Sequence, residues 1–285
     1  MRGAHSTLLR LYAALPLPLL HFAGAVLGAL VYLSDRRYRE KLEANLQQAG
    51  FGATKLRWRV AVESGKGVVE MPVAWGCSDA RITRLVKRVD GWQLLQQARD
   101  AGRGVLLLTP HLGGFEFAAQ YIAARVPLTI LYRRPKIACL EPFLRRGLER
   151  TRLHAVPADR AGVRSLLKAL RGGGAIGMLP DQVPVAGSGR WSDFFGRPAY
   201  TISLAGRLLG ATSALPLLVV CRRLAWGGGF HLSFTPADGL RGADETADCA
   251  ALNAAIEALA RSYPEQYFWG YNRYKTPAGA APPAA

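Results

Sequence analysis

The sequence has few cysteines, few methionines and few acidic residues. Cys77, Cys139, Cys221 and Cys249 stand far apart among 285 residues, with no CxxC pair and no clustered histidines. That excludes zinc-finger spacing and a disulfide framework, and leaves four small apolar side chains suited to a reducing compartment. A G-x-S-x-G elbow, a GxxxxGKS/T phosphate loop and a G-x-G-x-x-G turn after a strand are all absent. Serine hydrolases, phosphate-loop NTPases and dinucleotide enzymes therefore lose their usual signatures. Only 20 Asp+Glu stand against 37 Lys+Arg, a net charge of +17. An acidic partner is implied: nucleic acid, an anionic membrane face, a phosphorylated substrate or an acidic protein.

What is plentiful is apolar sequence. Half of the residues are hydrophobic, and 31 glycines and 17 prolines follow no collagen-like period, so a buried core is expected in one large domain. From Leu11 to Ser34 run 24 residues without a formal charge, long enough to cross a hydrocarbon core as a helix. Tyr12 and Tyr32 lie near its ends, where interfacial aromatics prefer to sit. Ala23-Gly24-Ala25 fits a signal-peptidase site, but apolar sequence continues to Leu33, which favours a retained anchor. Pro16, Pro18 and His21 favour a kinked or half-inserted segment over a straight span. Arg36, Arg37, Arg39 and Lys41 follow it, and this positive excess places the bulk of the chain in the cytoplasm. The organisation expected is residues 1–34 as anchor, 35–275 as one α/β domain and 276–285 as a disordered tail of Pro, Gly and Ala.

Two helices are expected between Asp35 and Ala74, punctuated by Gly50-Phe51-Gly52. Ile82, Leu85, Val86 and Val89 alternate with Arg81, Arg84, Lys87 and Arg88 and read as a short helix with a basic face. Apolar runs at 104–109, 128–132, 175–179, 215–221 and 229–234 are separated by helical stretches at 115–124, 140–153, 163–170 and 202–209, with a last helix over 247–260. Buried strands alternating with crossover helices make an α/β sheet.

Among five histidines, His111 has the most telling context. It follows the strand GVLLLTP and precedes Leu112-Gly113-Gly114-Phe115-Glu116, and strand ends in open α/β sheets are where ligands bind. On a continuous helix residues five apart do not meet. Gly113 and Gly114 would curl the turn so that the Glu116 carboxylate reaches the imidazole, fixes its tautomer and makes it a general base for a hydroxyl. Amides at the helix N-terminus would face developing negative charge. Spacing alone is weak: roughly 0.35 H-x4-D/E pairs arise by composition, and His154 with Asp159 is a second pair, lacking the glycines. His5, His21, His154 and His231 read as structural.

These residues resemble the bacterial lipid A biosynthesis acyltransferases, the lauroyl and myristoyl transferase group. The resemblance is carried by the His111–Glu116 block, Leu131-Tyr132-Arg133, Asp159-Arg160, Leu179-Pro180-Asp181-Gln182, Phe194 to Ala199 and Pro264 to Tyr267, in order along nearly the whole chain. It implies a fold like that of glycerol-3-phosphate acyltransferases, a central mixed sheet flanked by helices behind a membrane-anchoring helix. It further implies an enzyme of the bacterial inner membrane, active at the cytoplasmic face, with no cofactor and no metal. A fatty acyl chain would pass from acyl carrier protein, or CoA, to a glycolipid hydroxyl, most readily of a lipid A precursor. In the family the H-x4-D/E pair, here His111 and Glu116, is the catalytic dyad.

Arg133, Arg150 and Arg160 are expected to bind phosphate or the thioester oxygen, with Asp181 ordering a nearby arginine or loop and Gly113 and Gly114 in the substrate-binding turn. Acidic carrier protein, lipid phosphates and the anionic leaflet would account for the charge without nucleic acid. Phe268-Trp269-Gly270-Tyr271-Asn272-Arg273 departs from the family pattern and leaves other glycolipids or lysophospholipids open as acceptors. A thioesterase and a non-catalytic basic lipid-binding membrane protein are the competing expectations.

Overall fold

The computed structural model of the chain describes residues 2–52, 55–132, 147–148 and 152–283. Its strands are β1 (Val86–Asp90), β2 (Val105–Leu108), β3 (Leu128–Tyr132), β4 (Leu153–Pro157), β5 (Ala175–Met178), β6 (Gly189–Phe194), β7 (Arg197–Ile202), β8 (Leu215–Arg223) and β9 (Phe230–Pro236). The helices are α1 (Arg2–Ala14), α2 (Leu17–Ser34), α3 (Arg36–Gln48), α4 (Lys55–Gly76), α5 (Asp79–Leu85), α6 (Trp92–Asp100), α7 (Phe115–Ala123), α8 (Arg160–Arg171), α9 (Leu204–Gly210) and α10 (Glu245–Ser262). Seven strands form one sheet in the order β1-β9-β8-β2-β5-β3-β4, and β6 and β7 form a separate hairpin. Only the β8–β9 pairing within the large sheet is antiparallel, so the sheet is mixed, as expected.

Period-two alternation divides the core between the two faces. Leu106, Leu108, Ile176, Met178, Leu218 and Val220 pack with α3, α8, α9 and α10. Val105, Leu107, Ala175, Leu217, Val219 and Cys221 pack with α4, α5, α6 and α7. All four residues of β2 are buried, which is why this strand reads as a continuous apolar run. Each such leucine contributes roughly 1.5–3 kcal/mol through burial.

Two local expectations need correction. The basic segment around 82–89 is helical only to Leu85; Val86–Asp90 is edge strand β1. Its valines happen to continue the helical spacing, but they pair with β9 across an irregular register, and Lys87 and Arg88 lie exposed on the edge, where charge discourages further pairing. The helix expected over 140–153 falls mainly outside the described residues; 147–148 are helical, whereas Leu153 opens β4. The Phe194–Ala199 block, to which the sequence assigns no element, belongs to the hairpin, turning at Phe195 and Gly196 with φ of +50° and +70°, the left-handed pair that a two-residue turn demands.

At the N-terminus, α2 is long and apolar enough to cross a membrane by length and composition. One side packs on α4 where Gly24 and Gly28 meet Ala61 and Gly65 backbone to backbone, a small-residue crossing. Its other side leaves Leu19, Phe22, Val26, Leu30 and Leu33 exposed.

Candidate active site

The parallel pairing of β2 with β5 sets Leu108 beside Met178. His111 and Asp181 each stand three residues beyond those strand ends, so the two loops leave the sheet together and their side chains meet. The His111 backbone N–H donates to Asp181 Oδ2 at 2.9 Å, and ring Nδ1 lies 2.7 Å from Oδ1. Asp181 is 4% exposed, a buried carboxylate made tolerable by these bonds. The pair shifts as a unit. Burial works against the imidazolium, but the charge and hydrogen bond of Asp181, with help from Glu116, hold His111 above its ordinary value near 6.5. Burial would raise the Asp181 carboxyl; His111, through charge, side chain and backbone N–H, brings it below its usual range instead.

The expected contact between Glu116 and the imidazole is replaced. Glu116 is the second residue of α7, and its Oε2 accepts from the Trp75 indole of α4 at 3.0 Å. Burial pushes this carboxyl up, against the opposing pull of Trp75 and His111. Glu116 thus acts on the ring through space, while Asp181 holds it. Asp181 does order a loop, the one carrying His111.

That loop is clamped along its backbone. Gly113 N–H donates to Gln266 O, Gly114 N–H to Cys221 O and Leu112 N–H to Pro110 O, while His111 O accepts from Phe268 N–H. Gly113 has φ of +60°, a conformation that favours glycine. Gly114 does not; it is glycine because a Cβ there would collide with the Phe230 ring. The amides of 111–114 are therefore committed to protein acceptors.

Gln266 extends the clamp. Its side chain takes the N–H of Arg223 at 2.8 Å and donates to the carbonyl of the same residue at 3.0 Å. The Arg223 guanidinium is bidentate to Glu70 at 2.6 and 2.7 Å and reaches Glu63 at 2.7 Å. His21 of α2 closes the network on Glu70, which ties the apolar N-terminal helix to the end of β8.

Around the imidazole lies a cleft lined by Asn45, Gln182, Phe194, Tyr267, Phe268 and Trp269, among others. Phe115 stands edge-on to His111 at 5.0 Å. Burial, helped by the charge of Asp181, holds the Tyr267 hydroxyl well above its ordinary range, hence neutral. Arg273 is buried with its guanidinium on Tyr200 O, Thr201 Oγ1 and Asn253 Oδ1.

Of the arginines expected to bind substrate, Arg133 and Arg150 lie outside the described residues. Arg160 is exposed at the first turn of α8, where Asp159 caps the helix through Gly162 N–H. His154 sits exposed in β4, so the second H-x4-D pair is a strand residue and a helix cap.

This ordered arrangement has named counterparts. The sequence model for the bacterial lipid A biosynthesis acyltransferases matches residues 4–276. The chain belongs to that family. As a member it is an acyltransferase. It is 28% identical over 275 residues to the lipid A biosynthesis palmitoleoyltransferase of Escherichia coli (strain K12), covering 93% of this chain and 88% of the relative. The lauroyltransferase of the same organism is 27% identical over 276 residues, with 93% and 88% covered. A lipid A biosynthesis acyltransferase of Haemophilus influenzae is 24% identical over 252 residues, covering 85% and 77%. The candidate site in this family member is the His111 loop, to whose surroundings the structure adds Trp75, Gln182 and Phe268. Gln182 was visible in sequence only as the neighbour of Asp181, and Trp75 carried no signal.

Proposed function

We propose that the chain is a membrane-associated O-acyltransferase that moves a fatty acyl group from an acyl carrier protein thioester, or the CoA equivalent, to a hydroxyl of a lipid A precursor. The observation that carries this is the orientation of His111. With Nδ1 donating to Asp181, Nε2 keeps its lone pair and borders the cleft, which is what a general base for an alcohol needs.

Nε2 takes the acceptor hydroxyl's proton as the oxygen bonds to the thioester carbon, and the carbonyl pair moves to oxygen. Collapse restores the carbonyl and breaks the C–S bond, and the proton on Nε2 passes to the departing thiolate. No acyl-enzyme forms. Asp181 holds the tautomer and, with the nearby charge of Glu116, stabilises the imidazolium between the two steps. Arg133, Arg150 and Arg160 remain assigned to phosphate or carbonyl oxygens of the substrates.

Residues 1–34 serve as the anchor and 35–275 as the catalytic domain, leaving 276–285 as a tail. The apolar stripe of α2 supports insertion into the bilayer, and the cations at Arg36, Arg37 and Arg39 support contact with the anionic cytoplasmic leaflet. The net charge of +17 suits an acidic carrier protein and a phosphorylated glycolipid in the bacterial inner membrane.

The test is mass spectrometry of lipids after the purified chain is mixed with acyl carrier protein bearing several chain lengths and a tetra-acylated lipid A precursor. A new ester with the wild type and none with His111→Ala is the expected result. No ester in the wild type overturns lipid A as acceptor, and an ester on a lysophospholipid supplied in parallel reassigns it.

A further inference from the structure

One hydrogen bond stands where the acceptor hydroxyl must go. Gln182 Nε2 lies 3.1 Å from His111 Nε2. Because Nδ1 donates to Asp181, Nε2 is an acceptor, and the amide NH2 of Gln182 is the group that can satisfy it. A hydroxyl that is to be deprotonated needs that same lone pair, at roughly 2.6–3.2 Å, so substrate binding has to dislodge the amide.

The amide is built to be dislodged over a short distance only. Its backbone is fixed on both sides, through Asp181 on His111 and through Val183 N–H on the Tyr271 hydroxyl at 3.0 Å. Its side chain is half-buried and, among the described residues, hydrogen-bonds to His111 alone. Rotation about the side chain leaves the NH2 in the space beside Nε2, where the acyl carbon is bonded to the incoming oxygen.

Several other donors of the cleft are already engaged, the buried Arg273 Nε being one that is not. The amides of 111–114 bond to Asp181, Pro110, Gln266 and Cys221. Asn45 Nδ2 bonds to the carbonyls of Trp269 and Tyr271, the Trp269 indole to Pro264 O and the Tyr274 hydroxyl to Phe194 O. Yet the tetrahedral intermediate carries an oxyanion that needs donors at about 2.7–3.1 Å.

We infer that Gln182 is a catalytic residue whose side-chain amide rests on His111 Nε2 in the unloaded enzyme, yields that place to the acceptor hydroxyl, and then donates to the oxyanion of the acyl group. The inference rests on the acyl-transfer function proposed above. The oxyanion forms as the hydroxyl oxygen bonds to the thioester carbon and the proton reaches Nε2. When the C–S bond breaks, the oxyanion becomes a carbonyl again and the amide is free to return to His111.

The experiment compares full-length wild type, Gln182→Met and Gln182→Glu in phospholipid vesicles, with acyl carrier protein thioester and the tetra-acylated precursor as probes. Both variants keep the side-chain length and remove the donor. The expected result is a fall in kcat of about 10²–10³-fold, with both KM values within about threefold and an unchanged thermal midpoint.

The pH profile separates this role from a structural one. Donation to Nε2 favours neutral His111, so its loss in Gln182→Met moves the acid limb of kcat/KM to higher pH. The acid limb of kcat, which reports the loaded enzyme, stays in place. A kcat within about threefold of wild type in either folded variant overturns the inference and leaves acyl transfer standing. Absence of transfer by the wild type itself overturns the proposed transfer to a lipid A precursor, and the inference that rests on it.

Discussion

His111 and Asp181 are joined twice, through the ring at 2.7 Å and through the backbone N–H at 2.9 Å. Two bonds from one carboxylate fix the position of the histidine and the direction its ring faces. The backbone bond alone would leave the ring free to turn; the ring bond alone would leave the loop free to shift.

Asp181→Asn separates these effects. The amide oxygen can still accept from the His111 backbone N–H, but an NH2 toward Nδ1 favours the tautomer with the proton on Nε2, where a base is needed. The expected loss in kcat is about 10³–10⁴-fold, with folding retained by circular dichroism. Loss of less than about tenfold would place the tautomer control elsewhere.

The pH dependence follows from the same pair. In the proposed mechanism neutral His111 is the active form, and Asp181 and Glu116 outweigh burial to hold its pKa above the ordinary value near 6.5. Activity therefore rises with pH through a limb placed above 6.5 and is lost below it. Replacing Glu116 by Gln removes one of the charges that favour the imidazolium, so the limb moves to lower pH while kcat falls by roughly tenfold, equivalent to about 1.4 kcal/mol. The measurement is kcat/KM from pH 5 to 9 for both proteins; a limb that moves upward in Glu116→Gln contradicts the assignment.

Sequence legibility stopped where pairing began. The β2 run, the turn at His111 and the start of α7 announce themselves within a dozen residues because burial, glycine and helix periodicity are local. Asp181 comes from a loop 70 residues away, and its meeting with His111 depends on β2 pairing with β5 in the register Leu108 to Met178. Local pattern holds no information on that register, so the nearer carboxylate, Glu116, looked like the ring's partner. Trp75 was hidden for a similar reason: it reaches Glu116 from α4, whose placement depends on the crossing with α2. Edge strand β1 was misread because two valines kept a helical spacing past the last turn of α5.

Glu70 and Arg223 form the next test, since both side chains are 3% exposed. Removing one member of a buried pair leaves the other uncompensated, at a cost of about 3–5 kcal/mol. Glu70→Ala is expected to lower stability by that amount in denaturant titration and to reduce activity as well, because Arg223 carries the Gln266 clamp on the His111 loop. The paired change Glu70→Leu with Arg223→Met should recover much of the stability. If the single variant unfolds at the wild-type midpoint, the network is not a structural tie.

The α2–α4 crossing makes the last prediction, because two glycines only two residues apart in α4, and so on opposite faces of the helix, have opposite surroundings. A Cβ at Gly65 would collide with the backbone of Gly24 and Gly28, which has no side chain to move aside. At Gly67 the nearest atom is Arg223 Nη2 at 3.5 Å, an ordinary contact. Both substitutions to alanine gain the same helix preference, about 0.5–1 kcal/mol, so any difference between them measures the crossing. Gly67→Ala is expected to raise the thermal midpoint in detergent slightly or leave it unchanged. Gly65→Ala should lower it, as α2 is pushed off α4 and His21 is drawn away from Glu70. Equal midpoints for the two variants would mean that α2 does not rest on α4 in solution, and the tie between the apolar helix and the catalytic loop would be lost with it.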